Sequence, residues 1–480
     1  MATYYWVGGN GTWNNVNTAN WAASSGGAAG AGPPLVTDNV VFDSASGTGT
    51  CATATGAICN SVTLNSATLA VSLGAALSIA GNFTLTAGVV SLGSFTLTAS
   101  AFLSSNSNTR TIDFGTGKIV VTGASTCWTT NTTTGLTIAG TPVVDVTYAG
   151  AVAVSTNPGA LPEASALSFN FKSGTYALTV AFDNAFKNLN FTGFAGSVVN
   201  TRYVVYGSLT LGASMSFAAG TNAITFASTS PQTISTNGVS LDIPLTFNGV
   251  GGSWALSDNL TVGSSRTITL TNGTLNGDGK NVSLGSFALG SGTKTLNLGS
   301  GTWTVTGATW DANTNVSNLT VSASTGVISM TSGSTKTFAG GAKTWPTLNQ
   351  GGSGALTIQQ SNTFANITNT VQPATITLTS GTTQTVTDFD ASGTSGNLIT
   401  LNASTPGSRA TLTDSGGVNS VSYMDIKDIA ATGYGEWQAY TSNGNVDSGN
   451  NAGWVFAAPP PLTVSEYQVS FKSFTERRSF

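Results

Sequence analysis

Short segments in which apolar residues alternate with threonine or serine recur along nearly the whole chain. This alternation has a period of two residues, which predicts β-strands with one buried face, and the inward positions carry Leu, Ile, Val, Phe and Trp. No helical period of 3.6 residues is sustained anywhere. The clearest repeats are GNFTLT at Gly81–Thr86, GSFTLT at Gly93–Thr98, GSLTLG at Gly207–Gly212, DNLTVG at Asp258–Gly263, GSFALG at Gly285–Gly290 and SNLTVS at Ser317–Ser322. A short unit repeated in this way predicts a solenoid of stacked strands.

A longer internal repeat supports the same architecture. Arg110–Gly123 reads RTIDFGTGKIVVTG, and Lys294–Gly307 reads KTLNLGSGTWTVTG. An antiparallel barrel or sandwich is the alternative, because Asn-Gly pairs, which are hairpin signals, occur at 237–238, 248–249 and 272–273. The irregular spacing of the repeats favours a β-helix, since each turn of a solenoid needs only its neighbours and tolerates loops of different length.

We therefore predict an all-β fold, a right-handed parallel β-helix. Turns of roughly 20 residues, as in other short-repeat solenoids, stacked about 4.8 Å apart, predict a rod of order 80–100 Å. Residues 1–50 contain Trp6, Trp13 and Trp21 and are predicted to be a cap that covers the open end of the stack. An aromatic sugar-binding platform is the alternative role for these tryptophans. Residues 51–456 are predicted to be the β-helix itself.

The C-terminal segment differs from the body of the chain. Residues 457–461 form a proline-rich linker, which predicts a stiff, extended connection. Residues 462–480 read LTVSEYQVSFKSFTERRSF and carry five charges in 19 residues, a density unlike the rest. We interpret them as a docking or oligomerisation tail that adds to a partner's sheet or exchanges between subunits, with a disordered end as the alternative. The predicted docking residues are Tyr467, Phe471, Phe474, Arg477 and Arg478.

Composition excludes several classes of function. Only 7% of the residues are charged and the net charge is −4, which argues against nucleic acid, a partner that requires clustered Lys and Arg. The chain has no histidine, so Ser-His-Asp and Cys-His nucleophiles and His-bearing zinc sites are excluded. No apolar run approaches the length of a membrane span, and the N-terminus does not read as a secretory signal. Cys51, Cys59 and Cys127 read as small core or surface residues, and a Cys51–Cys59 bridge stays open.

Paired carboxylates are the first candidates for chemistry, since long β-helices often cleave carbohydrates. Asp388 and Asp390 are two residues apart, which places both on one face of a strand. Asp425, Asp428 and Glu436 form a second acidic group. Acidic residues at strand ends more often stabilise turns or keep a surface soluble, so we assign neither group a catalytic role.

The sequence signal for a calcium-binding loop is also weak. Asp311–Asn315 begins like an EF-hand loop, but Val316 stands at the glycine position and Ser322 at the position of the bidentate glutamate. We interpret the segment as an Asn-rich turn. The sequence thus predicts no enzyme, no cofactor and no metal site.

The two ends of the chain carry a family resemblance. Val418–Phe456 contains VSYMDIKD followed by DSGNNAGWVF, and the N-terminus contains WVGGNGTW and DNVVFD. The C-terminal motifs resemble the last turns of parallel β-helix proteins encoded by bacteriophages and by some bacterial surface-protein genes. The N-terminal motif is similar to the start of the same group and of autotransporter-like passenger domains. The resemblance implies fold and setting and carries over no active site.

What the resemblance implies is a structural protein of the virion. An autotransporter passenger needs an export signal and a membrane barrel, whereas a virion protein is assembled in the host cytoplasm and needs a docking segment. We therefore expect a non-enzymatic tail fibre, spike or capsid-associated fibre that contacts host surface glycans. It would bind other virion proteins through its tail and form a homo-oligomer, a trimer by analogy. A polysaccharide-degrading tailspike and a bacterial surface adhesin are the alternatives.

Overall fold

The chain forms a β-solenoid of about 18 turns with parallel strands, in which half of the residues are strand and 1% are helix. The computed structural model describes residues 1–181, 183–199, 202–322 and 324–457. This architecture confirms the predicted parallel β-helix and excludes the antiparallel barrel and sandwich. At about 4.8 Å per turn, 18 turns correspond to a rod about 85 Å long.

The strands of the described residues belong to four sheets, and two single turns of 3-10 helix lie at Ser44–Ser46 and Thr441–Asn443. The first sheet contains Thr3–Trp6, Gly11–Trp13, Trp21–Ala22, Asn39–Phe42, Gly49–Thr53, Ser61–Leu73, Phe83–Ser91, Phe102–Leu103, Arg110–Asp113, Ser125–Thr129, Leu136–Ala139, Val154–Asn157, Ala177–Val180, Ser197–Val199 and Ser216–Phe217. The second sheet contains Leu77–Ser78, Thr96–Ala99, Lys118–Val121, Val143–Val146, Leu167–Phe171, Asn184–Asn190, Tyr203–Val205, Leu209–Thr210, Ile224–Phe226, Pro231–Ser235, Leu245–Leu256, Thr267–Asn276, Ser286–Leu289, Lys294–Asn297, Thr309–Asp311, Leu319–Val321, Lys336–Ala339, Leu356–Gln359, Ala374–Leu378, Ile399–Ala403, Met424–Lys427 and Val446–Asp447. The third sheet contains Leu260–Thr261, Val282–Leu284, Thr302–Val305, Val327–Met330, Thr344–Trp345, Thr347–Gln350, Thr363–Asn369, Thr383–Phe389, Ala410–Asp414 and Ile429–Gly433. The C-terminal sheet contains Val418–Ser420, Glu436–Gln438 and Trp454–Val455.

The core consists of apolar side chains aligned in columns along the rod. In one column of the second sheet, each inward residue pairs in register with its counterpart in the next turn: Ile224, Leu245, Ile268, Phe287, Trp310, Phe338, Ile358, Leu378 and Ala403. All nine side chains are buried. Stacked rings add specific contacts, as between Phe287 and Trp310, whose centroids are 4.4 Å apart. Register, and not sequence spacing, defines each column.

The N-terminal end of the rod is closed by the three tryptophans. Trp6, Trp13 and Trp21 are completely buried, and Trp21 packs edge-on against the other two indoles at centroid distances of 5.0 and 5.6 Å. The strand Thr3–Trp6 pairs antiparallel with Trp21–Ala22, whereas the other named strands of the described residues pair in parallel. Since no indole face is open to solvent, these residues offer no sugar-binding platform. The predicted boundary at residue 50 stays a prediction. Parallel pairing runs without interruption from Thr3–Trp6 through Asn39–Phe42 into the later turns.

The end closure gives a stability prediction. We expect Trp21→Ala to lower the free energy of unfolding of the first turns by about 3–5 kcal/mol, because it leaves a cavity among the rings of the cap. Hydrogen exchange of the amides in residues 3–64 measures this local loss. Val16→Ala, at a side chain that is 75% exposed at the same end, is the matched control. Equal exchange in the two variants would show that the tryptophans do not hold this end together.

Candidate functional site

Asp388 and Asp390 lie on one exposed face, as their spacing predicts. Phe389 between them points inward and is buried, while both carboxylates are exposed. Asp388 pairs in register with Asn366 of the preceding turn, and the Asn366 side-chain amide donates to Asp390 Oδ2 over 2.6 Å. The pair is therefore a solvated carboxylate patch on the third sheet, in contact with one amide.

The three members of the second acidic group lie at different places in one turn: Asp425 in Met424–Lys427, Asp428 just before Ile429–Gly433, and Glu436 at the start of Glu436–Gln438. Asp428 is buried, and hydrogen bonds from the Asn450 side chain (2.6 Å) and the Gly407 amide (3.2 Å) lower the pKa of its carboxyl. Asp425 accepts from the Ser448 hydroxyl. Glu436 is exposed and accepts from Gln438 over 2.8 Å. Each carboxylate binds its own local donors, as the turn-stabilising interpretation expects.

The loop that begins like an EF-hand is organised by hydrogen bonds to its own backbone. Asp311 Oδ1 accepts from the amides of Asn313 (3.0 Å) and Thr314 (2.8 Å). Burial opposes ionisation of Asp311, but the bonds from Thr314 and Asn313 outweigh it and lower the pKa of the carboxyl. The side-chain amide of Asn315 donates to the Leu289 carbonyl over 3.1 Å. The two bonds to Asp311 form an Asx turn, and the bond from Asn315 ties this turn to the preceding one.

The three cysteines are buried free thiols, so the structure contains no Cys51–Cys59 bridge. Burial raises the pKa of all three thiols, that of Cys127 to about 12. Because the thiolate is the reactive form, these side chains are inert at neutral pH.

Three buried cations were not singled out from the sequence. Arg110, Lys294 and Lys336 each begin a strand, and each side chain is only 1% exposed. None of the three forms an ion pair within the described residues. Their hydrogen-bond acceptors are mainly backbone carbonyl oxygens at the corners of the solenoid.

The geometry of these cations is the same at each position. Each stacks on a leucine of the next turn and donates to the carbonyl two residues before that leucine. The three donor–acceptor pairs are Arg110 Nη1 to Thr134 O at 3.0 Å, Lys294 Nζ to Ser317 O at 3.1 Å, and Lys336 Nζ to Gly354 O. Each cation also donates to a carbonyl shortly before itself, at Asn108 (2.9 Å), Gly292 (2.7 Å) and Ser332 (2.9 Å). A buried cation thus ties one corner to the next and satisfies carbonyls that the strands leave unpaired.

A short sequence pattern is shared by these cations but does not identify them, because it also occurs at Arg266 and Lys343, which are only partly buried. The pattern is a basic residue followed by Thr and an apolar residue. It begins both copies of the long internal repeat, at Arg110 and Lys294, and recurs as KTF at Lys336. The two copies of this repeat also have the same local structure, because in each a short turn joins two four-residue strands. The strands are Arg110–Asp113 and Lys118–Val121 in the first copy, and Lys294–Asn297 and Thr302–Val305 in the second.

The C-terminal end of the described rod is open, unlike the N-terminal end. Its last strands are Val446–Asp447 and Trp454–Val455, and each pairs only with the turn before it among the described residues. Val446 and Val455 are 43% and 42% exposed. The predicted docking residues Tyr467, Phe471, Phe474, Arg477 and Arg478 follow this end in the sequence and lie outside the described residues.

Comparisons with protein-family models, with curated proteins and with solved structures find no match to this chain. The resemblance to phage-encoded β-helix proteins therefore stays a prediction. In the described part of the chain, no helix has the length and apolar character needed to cross a membrane.

The buried lysine at position 336 predicts a pH dependence of stability. Burial lowers its pKa from 10.5 to about 8. Between these values Lys336 binds a proton more strongly in the unfolded chain than in the folded one, so its own contribution to the free energy of unfolding rises with pH. We expect Lys336→Met to destabilise the protein by an amount that grows with pH, as measured by denaturant titration of wild type and variant at pH 7, 9 and 10.

Lys280→Met is the matched control, since Lys280 is only partly buried. Its effect on the free energy of unfolding, relative to wild type, should not grow with pH in this way. A pH profile that is identical in wild type and Lys336→Met would contradict the account of the buried amine.

Proposed function

We propose that this protein is a non-enzymatic structural rod of a bacteriophage particle, a tail fibre, spike or capsid-associated fibre, attached through its C-terminal end. The observation that carries the proposal is the difference between the two ends of a solenoid of about 18 turns. One end is sealed by buried tryptophans, and the strands at the other end pair on one side only among the described residues, just before the aromatic and basic tail in the sequence. A closed end suits a free tip, and an open end next to a docking sequence suits an attachment point.

The hydrogen bonding of the acidic residues supports a structural role. Asp311 and Asp428 accept bonds from turn amides and side chains, and Asp390 accepts from Asn366. Their carboxylates serve the stability of individual turns. The outer faces carry mainly Thr, Ser and Asn, which can form hydrogen bonds with the hydroxyl groups of host surface glycans.

Quantitative mass spectrometry of gradient-purified particles tests the setting. A fixed copy number near a multiple of three, six or twelve supports a tail appendage, and hundreds of copies indicate capsid decoration. Recovery from cell surfaces, with none in particles, would overturn the proposal in favour of the adhesin.

Removal of the chain after Pro461 tests the attachment. We expect the truncated rod to fold, because the described core lies upstream, but to be lost from particles. Phe474→Ala with Arg477→Ala should reduce incorporation in the same direction, whereas Ser473→Ala with Ser479→Ala is the matched control. Normal copy number in the truncated form would refute docking through the tail.

A polysaccharide-degrading tailspike is the second candidate, favoured by the shared exposed face of Asp388 and Asp390. Under the structural proposal, the protein releases no reducing ends from host polysaccharide, and Asp388→Asn and Asp390→Asn enter particles at normal copy number. Reducing-end release by wild type that both substitutions abolish would replace the structural proposal with the enzymatic one.

A further inference from the structure

The wall that the first sheet forms is interrupted near the middle of the rod. Within the described residues, the last strand of this sheet, Ser216–Phe217, pairs only with Ser197–Val199. Residues 236–243, here called the junction turn, follow on the same wall and contain no named strand. Leu241 of the junction turn bridges in parallel to Val262, directly after the first strand of the third sheet. The first and third sheets therefore form one wall with a gap of one turn, here called the interrupted wall.

The junction turn is tied closely to the turns that follow it. The carboxylate of Asp258 accepts from the amides of Thr236 (2.8 Å) and Asn237 (2.5 Å). Arg266 forms an ion pair with Asp242 at 2.8 Å and also donates to the Asp242 carbonyl oxygen at 3.2 Å. Together with the bridge to the third sheet, these contacts make the junction turn part of the second half of the rod.

Backbone pairing with the turn before it is sparse. On the interrupted wall, the described residues 214–222 share one backbone hydrogen bond with the junction turn, from Gly220 N to Asp242 O at 3.0 Å. At the adjoining corner the side chain of Asn237 donates to Leu211 O over 2.6 Å, beside a notch of about 360 Å³. The notch leaves room for the two turns to approach each other.

The wall formed by the second sheet crosses the same level of the rod without a break. Tyr203–Val205, Ile224–Phe226, Leu245–Leu256 and Thr267–Asn276 pair in register in successive turns. A continuous wall thus stands beside an interrupted one, as in a leaf hinge. Bending about the continuous wall opens or closes the gap in the other wall without breaking a strand pair.

The interruption lies where one structural unit ends and a second copy of it begins. From Val62 in Ser61–Leu73 and from the start of Leu245–Leu256, successive positions have the same exposure over all 12 residues of the second strand. The two copies of the long internal repeat, at Arg110 and Lys294, follow these strands in the sequence. The long strand belongs to the first sheet in the first unit and to the second sheet in the second unit. The second unit is therefore shifted by one wall, and the junction turn directly precedes it.

We propose that the junction turn is a hinge at which the two halves of the rod bend, with the continuous wall as the axis. Packed walls are about 10 Å apart, so a bend of about 30° changes the spacing on the interrupted wall by about 5 Å. Such a bend leaves the end-to-end length of the rod nearly unchanged. The inference rests on the fold alone and is independent of the proposed function. A rigid junction would leave the particle experiments unaffected, and absence from particles would leave the hinge standing.

Distances between paired spin labels on the full-length protein provide the first test. The three native thiols are buried, so engineered cysteines at outward positions carry the labels. Thr179→Cys with Ser283→Cys places the labels on the interrupted wall, one on each side of the junction turn. Val204→Cys with Ala288→Cys places them across the same level on the continuous wall.

The matched control pair lies within the second half of the rod. Thr261→Cys and Thr368→Cys are outward positions of the third sheet and are joined by an unbroken series of paired strands. That series spans five turns, which corresponds to about 24 Å at about 4.8 Å per turn. Thr179→Cys and Ser283→Cys are also five turns apart, counting the junction turn.

We expect the pair across the interrupted wall to give a distance distribution about 5 Å broader than the control pair, since the walls are about 10 Å apart. The pair on the continuous wall should be as narrow as the control. A distribution on the interrupted wall that is no broader than the one on the continuous wall would overturn the proposal. A control pair as broad as the pair across the junction turn would overturn it too, because the flexibility would then be general.

Hydrogen exchange of the unsubstituted protein provides a second test. The amides of Ala218, Gly220 and Leu241 all donate to backbone carbonyls, but only the bond of Gly220 crosses from the first half to the junction turn. Local opening at a hinge predicts that the Gly220 amide exchanges about tenfold faster than the other two. Equal protection of the three amides would contradict a hinge at this position.

Discussion

Hydrogen bonding between successive turns in strict register is the constraint on which the rest of this structure depends. It brings each inward side chain directly over its counterpart, so that Phe287, Trp310 and Phe338 form one continuous column although their separations in sequence differ. Each fully buried Leu or Phe contributes roughly 1.5–3 kcal/mol of transfer free energy. That burial is complete only when a turn lies above and below, so at each end of the rod another group has to cover the last inward side chains.

The corners of the solenoid present the opposite problem. Chain direction changes there, strand pairing is interrupted, and carbonyl groups are left inside the wall. Arg110, Lys294 and Lys336 solve this with a buried charge that donates to several carbonyls at once. Isolated buried charges are costly, and charge-assisted hydrogen bonds to fixed carbonyl dipoles offset that cost. For Lys336 the hydrogen bonds do not offset the whole cost of burying the charge, and its pKa is therefore lowered.

The sequence predicts the fold well and the special positions poorly. The two-residue alternation identifies inward residues such as Leu85 and Leu97 directly, because burial of one strand face is a local property. Asn248–Gly249 and Asn272–Gly273 look like hairpin turns, yet both pairs lie inside long strands at points where the register shifts. The Asn-Gly pairs do bend the chain, but the strands on either side of each pair bond to the neighbouring turn of the solenoid and not to each other. Each pair therefore forms a corner of the solenoid and not a hairpin.

Residues whose role depends on a neighbouring turn could not be predicted from local sequence. Lys336 reads as a surface lysine until Gly352 and Gly354 are brought to its side chain by the stacking of the next turn. Asp388 and Asp390 were correctly placed on one face, because spacing along one strand suffices for that. What lies opposite them, Asn366, follows only from the register.

We propose that the two ends of the rod have different roles: the N-terminal end is a sealed tip, and the C-terminal end is the point of attachment. Electron microscopy of particles carrying a gold label at the N-terminus tests it most directly. The account predicts a single label per rod at the tip furthest from the particle, about 85 Å from the attachment point for 18 turns at about 4.8 Å each. Labels at the particle surface, or rods lying flat with the label at no fixed distance, would contradict it.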